Sequence, residues 1–206
     1  IIRPPSEAQS LLLQVTTGCS HNKCTFCPTY RDKKFRIKSA EEIEEDLREA
    51  SRYRHVDRVF LCDGDALIIP QPRMLEILAS INRYLPGVER TGTYANAKSI
   101  LRKTPDQLRA LQAAGLKIVY LGVETGSPML LEKVRKGVGV DQMVEAGRRI
   151  KEAGILLSVT ILLGIGGREH SIEHALATAR ILTDIDPDYT GALTVMVIPG
   201  TPLHDE

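Results

Sequence analysis

Apolar runs rich in β-branched residues alternate along the chain with segments whose apolar positions recur every three to four residues, a pattern of βα units. The first run, Ser10–Thr17, reads as a buried strand that ends where Gly18 turns the chain. A helix follows, with Ser39 as N-cap, Glu42 completing a capping box, and Ile43, Leu47 and Ala50 on one face. Its acidic first turn suits the helix dipole. A second strand is predicted over about Val56–Cys62 and a second helix over Pro72–Tyr84, striped by Met74, Leu75, Leu78 and Ile81 and followed by Pro86-Gly87. Strand three covers Glu89–Ala95, and helix three opens at the Thr104-Pro105-Asp106-Gln107 box and stops at Gly115. Strand four spans Leu116–Val123 and a short helical piece Pro128–Val134. A longer helix, Asp141–Ala153, ends at Gly154 and leads into strand five, Ile155–Leu163. Ser171–Asp184 forms the fifth main helix and Tyr189–Ile198 the sixth strand, closed by Pro199-Gly200.

Six strands with helical crossovers pair in parallel with right-handed connections, which leaves an open doubly wound sheet or a curved partial barrel. Either arrangement gathers ligands at the carboxyl ends of the strands, in the loops after Thr17, Cys62, Ala95, Val123, Leu163 and Ile198. With 206 residues, 43% hydrophobic and 26% charged, the chain is expected to form one α/β domain over residues 1–206. A net charge of +1 gives no support to nucleic acid or an anionic membrane as partner. The longest nearly apolar run, Ile155–Gly167, is too short to cross roughly 30 Å of hydrocarbon, and the expected location is cytoplasmic. The chain starts at Ile1 rather than Met and stops in charged residues, so a piece of a longer protein is expected.

Cysteine usage sharpens this picture. Three of the four cysteines, Cys19, Cys24 and Cys27, fall within nine residues in the loop after the first strand, too clustered for a disulfide framework and suited to ligation. Three soft thiolates select zinc or an iron–sulfur cluster. Zinc wants a fourth ligand, for which His21 or Cys62 is available, whereas a four-iron cube held by three cysteines keeps one iron open to substrate.

The segment Cys19-Ser20-His21-Asn22-Lys23-Cys24-Thr25-Phe26-Cys27 resembles the signature of the radical SAM superfamily, with an aromatic directly before the last cysteine. The spacing is x4 then x2, where the family commonly has x3 then x2. Further strand ends are similar to the family's. Cys62-Asp63-Gly64-Asp65 stands where the family commonly has Gly-Gly-Glu, and Gly122-Val123-Glu124-Thr125-Gly126 is followed by Lys136-Gly137. Leu162-Leu163-Gly164-Ile165-Gly166-Gly167 resembles a glycine stretch beside adenine. Val197-Ile198-Pro199-Gly200-Thr201-Pro202 is similar to the branch containing coproporphyrinogen dehydrogenases, methylthiotransferases and the elongator catalytic subunit.

The resemblance implies a partial (β/α)6 TIM-like barrel holding a 4Fe-4S cluster on Cys19, Cys24 and Cys27. It also implies reductive cleavage of S-adenosylmethionine to methionine and a 5′-deoxyadenosyl radical that acts on an unidentified substrate. It places Phe26, Asp63, Gly64, Asp65, Glu124, Lys136, Gly164 and Ile198 against S-adenosylmethionine, with Glu124 able to reach substrate. A small-molecule substrate is favoured, and electrons are expected from a flavodoxin or ferredoxin.

Other features carry expectations of their own. Cys62 reads as a small buried hydrophobe. The basic stretch Arg31–Lys38 reads as a solvated loop face, and the histidines at 55, 170, 174 and 204 show no ligand spacing. Tyr30, Tyr94 and Asn96 stand beside strand ends and are candidates to line a central cavity. Two other classes compete: a zinc- or cluster-stabilised binding scaffold, and a metal-independent barrel enzyme whose Gly164–Gly167 loop cradles phosphate.

Overall fold

A computed structural model of the chain describes residues 2–53 and 55–205; the expected domain also takes in residues 1, 54 and 206, which lie outside the described residues. Six strands form one parallel sheet in the order β1 (Leu11–Gln14), β4 (Arg58–Cys62), β5 (Arg90–Ala95), β6 (Leu116–Glu124), β7 (Leu156–Leu163), β8 (Tyr189–Thr194). Each strand pairs in parallel with its successor in the sheet, so every connection is a crossover. The sheet is open, with β1 and β8 as its edges, and every residue of β8 is exposed.

Crossovers are supplied by α1 (Ala40–Ala50), α2 (Gln71–Tyr84), α3 (Ala97–Leu101), α4 (Pro105–Ala113), α5 (Pro128–Lys133), α6 (Val140–Glu152) and α7 (Ser171–Ile185); α8 (Pro202–Asp205) follows β8. Both capping boxes expected from sequence form, Ser39 with Glu42 and Thr104 with Gln107. Helix α3 is an addition to the expected elements. Asn96 caps it, its side chain accepting from the Lys98 N–H, in a five-residue stretch too short to show periodicity.

Two expected boundaries are corrected. The run Ser10–Thr17 is not one strand: β1 stops at Gln14, and β2 (Thr16–Thr17) turns out of the sheet to pair antiparallel with β3 (Arg36–Ile37). Val15 marks the switch, its N–H donating to the Cys62 carbonyl and its carbonyl accepting from the Lys38 N–H. Alternation of side chains continues through such a switch, so the pattern shows no break. The sixth strand stops at Thr194 instead of Ile198, because the residues beyond it leave β7 to form the Ile198–Thr201 turn, where the Thr201 N–H and hydroxyl both donate to the Ile198 carbonyl.

The two faces of the sheet bury different sets of residues. Leu13, Val59, Leu61, Val119, Leu121, Leu157 and Val159 pack under the helices with Ile43, Leu47, Met74, Ile77, Leu78 and Ile150. Phe60, Cys62, Ile118 and Tyr120 occupy the opposite face with Leu12 and Tyr94. There the rings of Phe60, Tyr94 and Tyr120 meet edge-on, with centroids 5.0 to 6.1 Å apart. Gly92 makes room for them, since a Cβ there would lie 2.9 Å from Ile118 and 3.3 Å from the Phe60 ring. The buried Glu7 closes the N-terminal end of this face, accepting from Arg90, Tyr120 and Ser10. No helix among the described residues is long and apolar enough to cross a membrane.

Candidate active site at the strand ends

The cysteine loop leaves the sheet at β2 and returns at β3, and its conformation is held from every side. Gly18, at φ +82°, starts the turn, and its N–H donates to Asp63 Oδ2 at 3.0 Å. Between Cys19 and Cys24, Asn22 sits in the left-handed region at φ +43° with its side-chain amide donating to the Tyr30 carbonyl at 2.7 Å. His21 Nε2 donates to the Arg135 carbonyl at 2.7 Å, and the Thr25 N–H to the Val134 carbonyl at 3.0 Å, tying the loop to the segment after α5. Arg31, expected in a solvated face, instead lies along the inside of the loop and donates to the carbonyls of Cys24, Thr25 and Cys27.

All three loop cysteines are free thiols, partly buried. Burial pushes the Cys24 thiol up to about 11, opposed by the Lys136 cation and reinforced by Glu124 and the two other thiols. Cys19 moves the same way, again chiefly through burial. The Lys136 cation and the Glu124 carboxylate both act on the Cys24 thiol. Among the described residues no three His, Cys, Asp or Glu side chains converge on one point as a single-ion site requires. A four-iron cube takes one thiolate per iron rather than three on one point, and three free, partly buried thiols in one loop are the donor chemistry it requires.

At the end of β4, two aspartates that look alike in sequence hold different positions. Asp65 is fully buried and both of its oxygens accept: Oδ2 from the hydroxyls of Ser20 (2.5 Å) and Ser99 (2.6 Å), Oδ1 from the Asn96 N–H (3.1 Å). Burial raises its pKa against these hydrogen bonds. It therefore braces the cysteine loop against the start of α3. Asp63 is equally buried, and its Oδ2 accepts from Gln14 and Gly18, but its Oδ1 has no hydrogen-bond partner. A buried carboxylate oxygen without a donor is costly and points to a missing cationic or N–H group. Between them, Gly64 permits close approach: a Cβ there would lie 2.9 Å from the Tyr30 ring and 3.0 Å from Cys19 Cβ.

At the end of β6, Lys136 Nζ donates to Glu124 Oε1 at 2.7 Å, both side chains about nine-tenths buried. Burial alone would lower the Lys136 pKa; Glu124, together with Cys24 and Cys19, outweighs it and raises it. Glu124 adopts φ +65°, directly after a break in the β6–β7 register between Gly122 and Glu124. A non-glycine residue held there marks a place where surrounding contacts override local preference. Gly122 is part of that arrangement, because a Cβ would collide with Glu124 Oε1 and lie 2.9 Å from Lys136 Nζ.

His174, from α7, reaches the same loop although its spacing gave no sign of a role. Its Nδ1 meets the hydroxyls of Thr125 (2.8 Å) and Thr178 (3.3 Å), which in turn accept from the N–H groups of Ser127 and Gly126. Burial lowers its pKa, in keeping with an Nδ1 that accepts.

After β7, the Gly164–His170 loop borders a cavity of about 430 Å³ lined also by Lys133, Val195 and Leu203. Phe26 packs below it against Leu130, Val134, Leu162 and Ile165. Ile198 belongs to the neighbouring turn, outside the cavity lining. Of the expected site residues, Cys19, Cys24, Cys27, Asp63, Gly64, Asp65, Glu124 and Lys136 are thus brought together, and Phe26 and Gly164 flank an adjoining space. Tyr94 faces the aromatic cluster, and Asn96 serves as a helix cap.

Comparisons with known proteins agree with this geometry. The family described as the radical SAM superfamily matches residues 13–179. An uncharacterised methyltransferase of Pyrococcus horikoshii is 24% identical over 196 residues, covering 94% of this chain and 41% of that protein. Hopanoid C-3 methylase of Methylococcus capsulatus is 26% identical over 152 residues, covering 73% and 28%. Among solved structures, methylornithine synthase superposes with a TM-score of 0.72 at 23% identity, over 96% of this chain and 56% of that one. The methyltransferase TsrM from Kitasatospora setae, solved with cobalamin and a [4Fe-4S] cluster, gives 0.73 at 19% identity, over 94% and 38%. The chain spans less than half the length of the curated relatives it matches.

Proposed function

The chain belongs to the radical SAM superfamily, whose members use a 4Fe-4S cluster and S-adenosylmethionine, and we propose that it is the catalytic core of such an enzyme with Cys19, Cys24 and Cys27 as cluster ligands. When bound, the cluster supplies the electron that cleaves a carbon–sulfur bond of S-adenosylmethionine, giving methionine and a 5′-deoxyadenosyl radical. The observation that carries this reading is a loop of three free, partly buried thiols, pinned by Asp63 and Arg31, beside a buried Glu124–Lys136 pair at the open ends of a parallel sheet.

The chain's own groups then divide the binding work. Asp63 Oδ1, buried and without a donor, receives the ammonium group of the methionyl end. Lys136 keeps one N–H on Glu124, which fixes its direction, and turns another toward the carboxylate. Gly64 lets the backbone approach beside Cys19. Gly164 bounds the region proposed for the nucleoside, supported by the 430 Å³ cavity it lines, while Phe26 packs against the cavity-lining Ile165, and Ile198 stands in the turn beside it. Asp65 acts through the loop it braces and touches Ser20 rather than the ligand.

The aromatic floor of Phe60, Tyr94 and Tyr120 limits depth on the inner face of the sheet, which supports a small-molecule substrate held near the strand ends. Two relatives are named for methyl transfer, so a methyl-acceptor substrate is the first class to assay. A flavodoxin or ferredoxin is the proposed electron donor.

The test is spectroscopic: protein loaded anaerobically with iron and sulfide is reduced and titrated with S-adenosylmethionine. A changed paramagnetic spectrum of the reduced cluster, weakened in Asp63→Asn and Lys136→Met, supports the assignment. An unchanged spectrum at saturating S-adenosylmethionine in folded, cluster-bearing protein contradicts it.

A further inference from the structure

We infer that Arg31 is a positioning residue for the cluster, holding the Cys24–Cys27 turn in its ligating shape and keeping a fixed positive charge beside it. The inference rests on the cluster assignment above and adds a residue that does not itself ligate.

The geometry is specific. Arg31 follows Cys27 by four residues, and its Nε donates to the Cys27 carbonyl at 3.1 Å while one terminal nitrogen donates to the carbonyls of Cys24 at 2.9 Å and Thr25 at 3.4 Å. One planar guanidinium thus gathers three carbonyls of a four-residue stretch that begins and ends in a ligand. The loop's own backbone contributes only the 3.3 Å Cys27 N–H to Cys24 carbonyl bond across this turn. The Cys24 carbonyl is also reached by the Cys27 N–H and the Thr25 carbonyl by the Leu203 N–H at 3.2 Å, whereas on the Cys27 carbonyl Arg31 is the donor, so losing the guanidinium frees the Cys27 end of the turn and leaves the Cys24 end on one long bond. Only a fork of fixed N–H directions serves all three; a lysine ammonium brings the charge without that fork.

The second consequence is electrostatic. A four-iron cube on three thiolates gains one negative charge when reduced, and a cation held at the ligand backbone favours the reduced form.

These two consequences separate by substitution. Arg31→Lys retains the charge and loses the fork; Arg31→Gln loses both. In the apo protein, the rate of Cys24 and Cys27 alkylation is expected to rise about tenfold in both variants, because the turn opens while the fold, followed by circular dichroism, stays intact. In loaded protein, both variants should lose iron to a chelator faster than wild type. The cluster potential of Arg31→Gln should become more negative by a tenfold shift in the reduced-to-oxidised equilibrium, which is about 59 mV for one electron, while Arg31→Lys stays near wild type. Alkylation rates, iron loss and potential all equal to wild type in Arg31→Gln overturn the inference. A wild-type chain that takes up no four-iron cluster overturns the underlying assignment, while faster alkylation in the apo variants would still stand as evidence for the clamp.

Discussion

Replacing Lys136 with Met tests the buried ion pair on which the site depends. The side chains of Lys136 and Glu124 are 11% and 9% exposed, and their 2.7 Å contact is the hydrogen bond that Glu124 Oε1 makes within the protein. The substitution keeps an unbranched apolar stem, one atom shorter for want of the ammonium nitrogen, and leaves a carboxylate buried, at a backbone position of φ +65° that the pair helps to hold. Breaking a buried pair from one side costs about 3–5 kcal/mol, against about 1 kcal/mol or less for an exposed pair. For a chain of this size each kcal/mol lowers Tm by about 2–4 °C, so a fall of about 6–20 °C is expected. The assay is urea and thermal unfolding of the apo protein under reducing conditions. The double variant Glu124→Gln/Lys136→Met removes both charges together and should recover most of the loss, giving a coupling of at least about 2 kcal/mol in a double-mutant cycle. A loss of under about 1 kcal/mol for Lys136→Met, or a double variant no more stable than the single, would refute the claim that the pair is desolvated and mutually dependent.

Other expectations follow from the same contacts. Gly64→Ala forces a methyl group to 2.9 Å from the Tyr30 ring and 3.0 Å from Cys19 Cβ, so it should lower stability by about 1–3 kcal/mol and reduce iron uptake, measured by metal analysis after reconstitution. His174 is held below its ordinary pKa by burial, against Glu173 and the Leu162 carbonyl; its contribution is therefore complete above pH 6.5 and is lost as pH falls below it. Unfolding free energies between pH 7.5 and 5 should show this decline, and His174→Phe should flatten it, with His21, shifted in the same direction, leaving a residual slope. Burial, with Asp63 adding to it, pushes the Cys62 thiol up to about 12, so native protein at pH 8 should leave Cys62 unlabelled by iodoacetamide until urea unfolds it.

The elements most legible in the sequence were those whose local signals agree with their tertiary setting. Ser39-Glu42 and Thr104-Gln107 mark helix starts because the caps are satisfied within four residues, and the apolar runs of β4, β6 and β7 are buried on both faces. The break at Val15 was hidden because a change of strand partner does not disturb side-chain alternation. The cysteine spacing located the site, whereas the different positions of Asp63 and Asp65 depend on Ser20, Asn96 and Ser99, donors up to 45 residues away that no spacing reveals. Arg31 was obscured by its neighbours, since a run of basic residues looks the same whether its first member faces water or the loop carbonyls. His174 became visible only when α7 packed its buried face against the loop after β6.

The most direct test of radical initiation is product analysis. Protein reconstituted anaerobically, reduced and given S-adenosylmethionine is predicted to release 5′-deoxyadenosine and methionine in equal amounts, with Cys24→Ala releasing neither. Folded, cluster-bearing protein that leaves S-adenosylmethionine intact, or a Cys24→Ala variant as active as wild type, would contradict the account.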